Sequence, residues 1–235
     1  MKKLFEKYET LFTVLLIVLY IAVNSVCRSA FSEFHPMSSA VNTAFSVFLI
    51  VLIFILKRRE FYGLKKPLNT KKLLYFLPLL FIAFANLTGG INTENTAGEI
   101  IFFIINMLNI GFIEEIIFRG FLFKMMERDN EKAAVIVSSV TFGVGHIMNL
   151  FIGADILPTL LQIIYACAAG WLFVEIFRKS GSLIPCIITH SLTNALSVFC
   201  TENVFSEYII PLLLTIVPLA YTLYINRVLS RKSGQ

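Results

Sequence analysis

Four polar residues in otherwise apolar stretches have the types needed to hydrolyse an amide bond. They are Glu114 in "GFIEEIIFRG", His146 in "TFGVGHIMN", and His190 with Asn194 in "IITHSLTNAL". A carboxylate beside an imidazole can activate water as a general base. A second imidazole and an amide can donate hydrogen bonds to the oxyanion that forms when water adds to a carbonyl. Ionisable groups at membrane depth are costly unless they are paired or face a cavity, so these residues indicate a functional site.

Glu115 and Arg119 have a different predicted role in the same stretch. They are four residues apart with the acid first, which is the favourable order for an ion pair on one helix face. We interpret this pair as structural support. Glu114 is rotated by about 100° from Glu115 around the helix axis, so its carboxylate is predicted to point elsewhere and to be free for catalysis.

Other interpretations of these residues stay open. Glu114, His146 and His190 are of zinc-ligand types, although they are dispersed and no HExxH motif is present. Intramembrane Glu and His also occur in proton-coupled transporters, but no inverted repeat is evident. A His or Asn side chain in a membrane helix can also serve as a hydrogen-bonding contact between helices without any catalytic role. No GxSxG motif accompanies the histidines and none of the four cysteines is placed as a nucleophile, so we favour direct attack by activated water without a cofactor.

The elements that position these residues are predicted to be membrane-spanning helices. Hydrophobic residues make up 57% of the 235 residues and charged residues only 15%, against about 25% charged in soluble domains. Eight apolar stretches are long enough for a bilayer of about 30 Å. They run over residues 10–27, 37–56, 72–88, 98–126, 132–149, 157–177, 182–200 and 207–228, and the third and fifth are the shortest. The predicted fold is an all-α polytopic membrane protein with about eight transmembrane helices.

The positions of the basic residues support this helix count. All but two of the 20 Lys and Arg residues fall at the termini and in alternate loops, which the positive-inside rule assigns to the cytoplasm. The exceptions are Arg28, in a predicted outer loop, and Arg119 inside a helix. Both termini are therefore predicted to be cytoplasmic. No basic stretch interleaved with aromatic residues indicates binding to nucleic acid.

The chain is predicted to form a single membrane domain over residues 1–235. It divides into three leading helices (1–97), a motif-bearing core (98–200) and a closing helix (207–228). The polar loop 57–72 is interpreted as a solvent-exposed loop rich in charged residues. Binding of this loop to anionic lipid headgroups is the alternative.

The four candidate catalytic residues are predicted to share one layer of the membrane. A rise of about 1.5 Å per residue places them roughly 15 to 21 Å from the inner ends of their helices. Gly143 and Gly145 precede His146, and small residues of this kind allow neighbouring helices to approach closely.

The motif-bearing core resembles a known family. "EEIIFR" matches an EExxxR motif, "FGVGH" an FxxxH motif and "HSLTN" an HxxxN motif, in the expected order and on separate helices. These motifs are typical of the CAAX prenyl protease and bacteriocin-processing (CPBP) family, the Abi proteins, which includes the type II CAAX prenyl endopeptidases. The resemblance covers residues 98–200.

The resemblance implies an eight-helix intramembrane endopeptidase of the glutamic type, with no cofactor. It assigns water activation to Glu114 and His146, an oxyanion hole to His190 and Asn194, and structural support to Glu115, Arg119 and Phe142. The family was long regarded as metalloproteases. For this reason a zinc-dependent membrane metalloprotease stays a minority interpretation, in which Glu114, His146 and His190 would bind the zinc ion.

The expected substrate is a peptide or a membrane-associated protein. Eukaryotic relatives remove the last three residues of prenylated CaaX proteins, whereas bacterial relatives act in bacteriocin self-immunity and in the processing of pheromones or membrane proteins. The Lys-, Ile- and Asn-rich chain is typical of a bacterium, so we expect a multi-pass protein of the bacterial cell membrane. A non-proteolytic immunity or scaffold protein is the alternative from another class. The sequence makes no prediction of the oligomeric state.

Overall fold

A computed structural model describes the protein over residues 2–67, 76–92 and 94–230, with side chains placed between residues 3 and 227. In these ranges every regular element is helical and no β-strand is formed. The α-helices are α1 (Lys2–Lys7), α2 (Glu9–Ala30), α3 (Pro36–Leu56), α4 (Leu77–Phe84), α5 (Ala97–Glu115), α6 (Lys124–Glu127), α7 (Glu131–Gly145), α8 (Met148–Phe151), α9 (Ile156–Ser180), α10 (Ile184–Leu196) and α11 (Ile210–Ser230). The prediction of an all-α polytopic membrane protein is confirmed.

Each of the eight predicted apolar stretches contains a helix, and six of these helices are long and apolar enough to cross a membrane. The six are Glu9–Ala30, Pro36–Leu56, Ala97–Glu127, Glu131–Phe151, Ile156–Ser180 and Phe205–Arg227. Many large apolar side chains on their outer faces are exposed, for example Leu15 of α2 and Phe54 of α3. Such a surface suits contact with lipid acyl chains, and it confirms a multi-pass membrane protein.

Two of the eight apolar helices are shorter, Leu77–Gly89 and Ile184–Phe199. The first four residues of the predicted third stretch, 72–75, lie outside the described residues. The seventh predicted stretch, 182–200, forms the second of these short helices. The fifth predicted stretch, 132–149, lies in a helix that is long enough to span the membrane. At about 1.5 Å per residue, residues 184–199 extend over roughly 24 Å, less than a bilayer core of about 30 Å. The short helix α10 packs against α4, α5 and α9.

The basic segments predicted to be cytoplasmic lie together at one end of the bundle. Arg58, after α3, pairs with Glu9 at the start of α2 over 3.0 Å. Arg128, after α6, also pairs with Glu9, and Arg178 near the end of α9 pairs with Glu131 at the start of α7. This shared end supports the predicted alternation of loops, and we call it the predicted inner end. Lys71, Lys72, Arg231 and Lys232 lie outside the described residues, and the cytoplasmic location of the termini stays a prediction.

One long helical segment, Ala97–Glu127, carries the EExxxR motif. Thr96 and Glu99 form a capping box at its start, in which each side chain bonds the other residue's backbone N–H. The segment changes from α-helix to π-helix at Ile116–Phe123, immediately after Glu115. Wider π-helical turns often occur at functional sites. Within this π-helical stretch the carbonyl of Phe118 accepts a hydrogen bond from Ser138 of α7 over 2.9 Å.

Close contact between α5 and α10 places two of the motifs side by side. At Gly111 of α5, an added Cβ atom would lie 2.7 Å from the backbone of Ser191 on α10. The hydroxyl of Ser191 donates to the carbonyl of Leu108 over 3.0 Å. This glycine contact brings His190 next to the paired glutamates of α5.

Candidate active site

A cavity of about 330 Å³ is lined by all four residues that were predicted to be catalytic. Glu114 comes from the end of α5, His146 from the residue that follows α7, and both His190 and Asn194 from α10. The structure brings the four residues to one cavity, and the prediction that they share one layer of the membrane stays a prediction. Their individual roles stay predictions.

Glu114 presents its carboxylate to this cavity and has a hydrogen-bond partner on another helix. Its side chain is 13% exposed. Oε1 accepts a hydrogen bond of 2.7 Å from the hydroxyl of Tyr20 on α2. Oε2 lies 3.5 Å from Nε2 of His190. The carboxylate is therefore fixed between α2 and α10 and remains accessible from the cavity.

His190 is held by the second glutamate of the motif. Its Nδ1 lies 3.0 Å from Oε1 of Glu115. An ionised carboxylate can only accept hydrogen bonds, so Nδ1 carries a proton and donates it to Glu115. A fixed bond on one ring nitrogen determines the orientation of the other. Nε2 is consequently directed toward Glu114 and the cavity.

Glu115 and Arg119 form the ion pair that their spacing predicts. NH1 of Arg119 lies 3.0 Å from Oε1 of Glu115, and neither side chain is exposed. Separation of such a buried pair would leave one charge without its partner in an apolar environment. The sequence did not predict that the same Glu115 oxygen also binds His190, so the pair is joined directly to the site.

Aromatic rings and a glycine surround the Arg119 guanidinium. It lies 4.1 Å from the ring centroid of Phe142, a distance that suits a cation–π interaction. An added Cβ atom at Gly170 of α9 would lie only 3.0 Å from NH2 of Arg119. The Phe142 ring also meets the rings of His146 and His190 edge-on, with centroids 5.4 Å apart in both cases. This position supports the structural role predicted for the motif phenylalanine.

His146 follows the last residue of α7 and caps that helix. Its backbone remains in the right-handed helical region, and its Nδ1 lies 3.1 Å from the carbonyl oxygen of Phe142. Because that carbonyl accepts, Nδ1 donates and Nε2 of the neutral ring is the proton acceptor. His146 also borders, with Glu114, a smaller space of about 60 Å³ next to the main cavity. A ring in this state can accept a proton or a hydrogen bond from water.

Asn194 lies one helical turn beyond His190 on the same face of α10, and its side chain also lines the cavity. Further amides and hydroxyls complete the cavity lining: Asn24, Asn86, Asn149, Gln162, Thr193 and Ser197. Such groups can bond the N–H and C=O groups of a peptide main chain. The cavity therefore suits a peptide better than an apolar small molecule.

Two contributors to the site were not predicted from the sequence. Tyr20 is a buried residue of α2 that binds Glu114. Arg28 was placed in an outer loop but lies in the last turn of α2, which extends to Ala30. It lines the cavity, donates to Asn149 over 2.7 Å and pairs with Glu33 over 2.9 Å. Its exceptional position, as a basic residue in a predicted outer loop, is the sequence signal that could have indicated Arg28.

The two glycines that precede His146, Gly143 and Gly145, differ in their surroundings. An added Cβ atom at Gly143 would lie 2.2 Å from Sγ of Cys167 and 2.8 Å from the carbonyl oxygen of Ile163. This confirms the close helix approach predicted for Gly143, and the approaching helix is α9. At Gly145 an added Cβ atom would meet nothing within 4 Å. The corresponding prediction for Gly145 is wrong, because this residue faces open space where α7 ends.

The minority interpretation of a zinc site has no complete ligand set in the described part of the chain. No three His, Cys, Asp or Glu side chains there are grouped so that they could hold a metal ion. The hydrogen bonds at Nδ1 of His190 and of His146 leave both Nε2 atoms free, so these bonds do not argue against a ligand role. We assign no step of the reaction to a metal, and catalysis without a metal stays a prediction.

These features define a class of protein: a polytopic helical membrane protein whose glutamate and histidine side chains meet in a polar cavity between the helices. Residues 96–196 match the family of Rce1-like type II CAAX prenyl endopeptidases. This stretch contains the EExxxR, FxxxH and HxxxN motifs, and the match confirms the predicted resemblance. At the family level the match supports a protease, which is a hydrolase. No curated protein matches the chain.

Proposed function

We propose that the protein is an intramembrane endopeptidase of the glutamic type, which cleaves peptide bonds by direct attack of water. The observation that carries this proposal is the shared cavity of Glu114, His146, His190 and Asn194. It joins two groups able to accept protons from water with two groups able to bind an oxyanion. The polar lining of the cavity agrees with a peptide substrate.

In the first step, Glu114 removes a proton from a water molecule as the water oxygen attacks the scissile carbonyl carbon. His146 accepts a hydrogen bond from the same water at Nε2, because its Nδ1–H is engaged by the Phe142 carbonyl. Two acceptors on one water orient its lone pair toward the substrate. General-base assistance of this kind contributes about 10²- to 10⁴-fold to a rate.

In the second step, the carbonyl oxygen becomes an oxyanion that Asn194 and His190 stabilise. Asn194 donates from its side-chain amide, and a doubly protonated His190, which keeps both ring protons throughout the reaction, donates from Nε2. The proton held by Glu114 then passes to the leaving nitrogen as the C–N bond breaks. The products are a new carboxyl terminus and a free amine, and Glu114 returns to its ionised form.

The substrate is proposed to be a peptide or a membrane-associated protein whose cleavage site reaches membrane depth. The matched family is that of Rce1-like type II CAAX prenyl endopeptidases, and we propose the processing of a CAAX-type protein, a bacteriocin or a pheromone as the role of this protein. We propose a location in the bacterial cell membrane with both termini in the cytoplasm, and catalysis without a metal.

The test is a comparison of cells that produce the wild-type protein with cells that produce Glu114→Gln. We expect peptides that end or begin at the cleavage site to be absent from the Glu114→Gln peptidome. Purified Glu114→Gln should then lose at least about 100-fold in kcat on the substrate so identified.

The matched control is Glu207→Gln, because Glu207 is an exposed glutamate outside the cavity. Its peptidome should equal that of the wild type. If Glu114→Gln and Glu207→Gln gave the same peptides and the same phenotype, the protein would act as a non-proteolytic immunity or scaffold protein instead.

A further inference from the structure

Tyr20 is the partner of the proposed general base, although it lies far outside the family-matched stretch 96–196. It belongs to α2, and only 4% of its surface is exposed. Its hydroxyl oxygen is 2.7 Å from Oε1 of Glu114, a short distance typical of a bond to a charged acceptor. The Tyr20 ring packs edge-on against Phe45 of α3, with centroids 5.8 Å apart. Two leading helices thus fix a phenol against the motif carboxylate.

The bond leaves the two oxygens of Glu114 in different surroundings. Oε1 accepts from Tyr20, while Oε2 lies 3.5 Å from Nε2 of His190. A carboxylate that is held at one oxygen cannot rotate freely about its terminal torsion, which is otherwise broad. The second oxygen and the free lone pairs are therefore kept directed at the cavity, where water would be activated.

Tyr20 contacts Glu114 outside the main cavity, so it does not compete with a substrate that binds there. It borders the smaller space of about 60 Å³, together with Glu114 and His146. The residues that line the main cavity of about 330 Å³ include Glu114 but not Tyr20. A change that removed only the Tyr20 hydroxyl would leave the lining of the main cavity intact.

We propose that Tyr20 is a positioning residue for Glu114, so that a leading helix without any family motif is part of the catalytic machinery. This inference rests on the proposed function, in which Glu114 is the general base. Tyr20 does not exchange a proton with substrate in this role. It orients the carboxylate and donates to its charged form, and it thereby acts on turnover without acting on binding.

The experiment is steady-state kinetics of Tyr20→Phe on the peptide substrate, in the purified full-length protein. We expect kcat to fall about 10- to 100-fold, as for loss of one hydrogen bond to a charged group, with KM within about two-fold of the wild type. The matched control is Tyr62→Phe, because Tyr62 is also fully buried but packs on Phe121, with ring centroids 4.5 Å apart, away from the cavity. Its kcat should equal that of the wild type.

Glu114→Gln, measured in parallel, separates the two possible failures. Full activity in Glu114→Gln would overturn the proposed function itself. An inactive Glu114→Gln together with wild-type kcat in Tyr20→Phe would overturn only the role of Tyr20. A rise in KM with unchanged kcat would also overturn it, because the hydroxyl would then act in substrate binding.

If Tyr20→Phe does not fold, difluorotyrosine incorporated at position 20 tests the same bond. The fluorinated ring keeps the hydroxyl and nearly the same shape, but its more acidic hydroxyl donates a stronger hydrogen bond. We expect the dependence of kcat on pH to differ from that of the wild type. An identical profile would contradict the proposal.

Discussion

Glu115 accepts a hydrogen bond from Nδ1 of His190 over 3.0 Å, and the same Glu115 oxygen lies 3.0 Å from NH1 of Arg119. One carboxylate oxygen therefore joins the EExxxR motif to the HxxxN motif. The pair that was predicted to be structural support also sets the orientation of a proposed oxyanion-hole residue. The structural and the catalytic contributions of this pair can be separated only by measuring both the amount of folded protein and kcat for the same variant.

Glu115→Ala is expected to reduce the amount of folded protein. The change leaves the Arg119 guanidinium as a fully buried charge without its carboxylate, and breaking one side of such a pair typically costs about 3–5 kcal/mol. Thermal unfolding in detergent, followed by tryptophan fluorescence or by size-exclusion chromatography after heating, measures the loss.

Glu207→Ala is the control for this change, since Glu207 is exposed and should leave the unfolding midpoint unchanged. Any Glu115→Ala protein that remains folded should also have lower kcat, because His190 loses its Nδ1 partner. Equal midpoints for the two variants would show that the buried pair does not stabilise the fold.

Asn194→Ala is expected to lower kcat without a comparable loss of stability. The side chain lines the cavity, and removal of one oxyanion-hole donor typically costs about 10²- to 10³-fold in kcat. Steady-state kinetics of the purified variant, with the unfolding midpoint measured on the same sample, checks both expectations.

Asn109→Ala serves as the comparison, because Asn109 is a partly buried asparagine of α5 that does not line the cavity and donates to the Thr43 hydroxyl of α3 over 3.0 Å. It should retain wild-type kcat. If Asn194→Ala changed only KM, Asn194 would bind the ground-state substrate and would not belong to the oxyanion hole.

The helices and the motif residues could be predicted because each is a local property of the sequence. Apolar stretches and basic loops fix the number and alternation of helices, and the i,i+4 spacing of Glu115 and Arg119 fixes their pairing. The short length of α10 was not predicted, because the apolar stretch in the sequence, residues 182–200, continues beyond both ends of the helix, Ile184–Leu196. The contacts between helices could not be predicted from the sequence either.

Tyr20 shows why the remaining contacts could not be predicted. A tyrosine in an apolar helix has no local signal for a partner, and its bond to Glu114 depends on the rotation of α2 against α5. The bond between Glu115 and His190 depends in the same way on how α10 packs against α5 at Gly111. Arg28 was misplaced because α2 extends to Ala30, three residues beyond the predicted end of its stretch.

Chelators are expected to leave the peptidase activity unchanged. In the described part of the chain no three suitable side chains are grouped to hold a metal ion. Activity of the purified protein should therefore be equal before and after dialysis against EDTA or 1,10-phenanthroline. Loss of activity that zinc restores would contradict a metal-free mechanism.

The variants Gly143→Ala and Gly145→Ala should have opposite consequences although the two positions are two residues apart. At Gly143 a methyl group would lie 2.2 Å from Sγ of Cys167 and 2.8 Å from the backbone oxygen of Ile163. The backbone atom cannot move aside as a flexible side chain can, so α7 and α9 must separate. Such overpacking typically costs about 1–3 kcal/mol.

At Gly145 the same methyl group would meet nothing within 4 Å, so stability should be unchanged or slightly raised by the better helix propensity of alanine. Unfolding midpoints and kcat of both variants check this contrast. Gly143→Ala should also lower kcat, because separation of α7 from α9 displaces His146 at the end of α7. Equal midpoints for the two variants would mean that α7 and α9 do not pack as closely as the Gly143 contact requires.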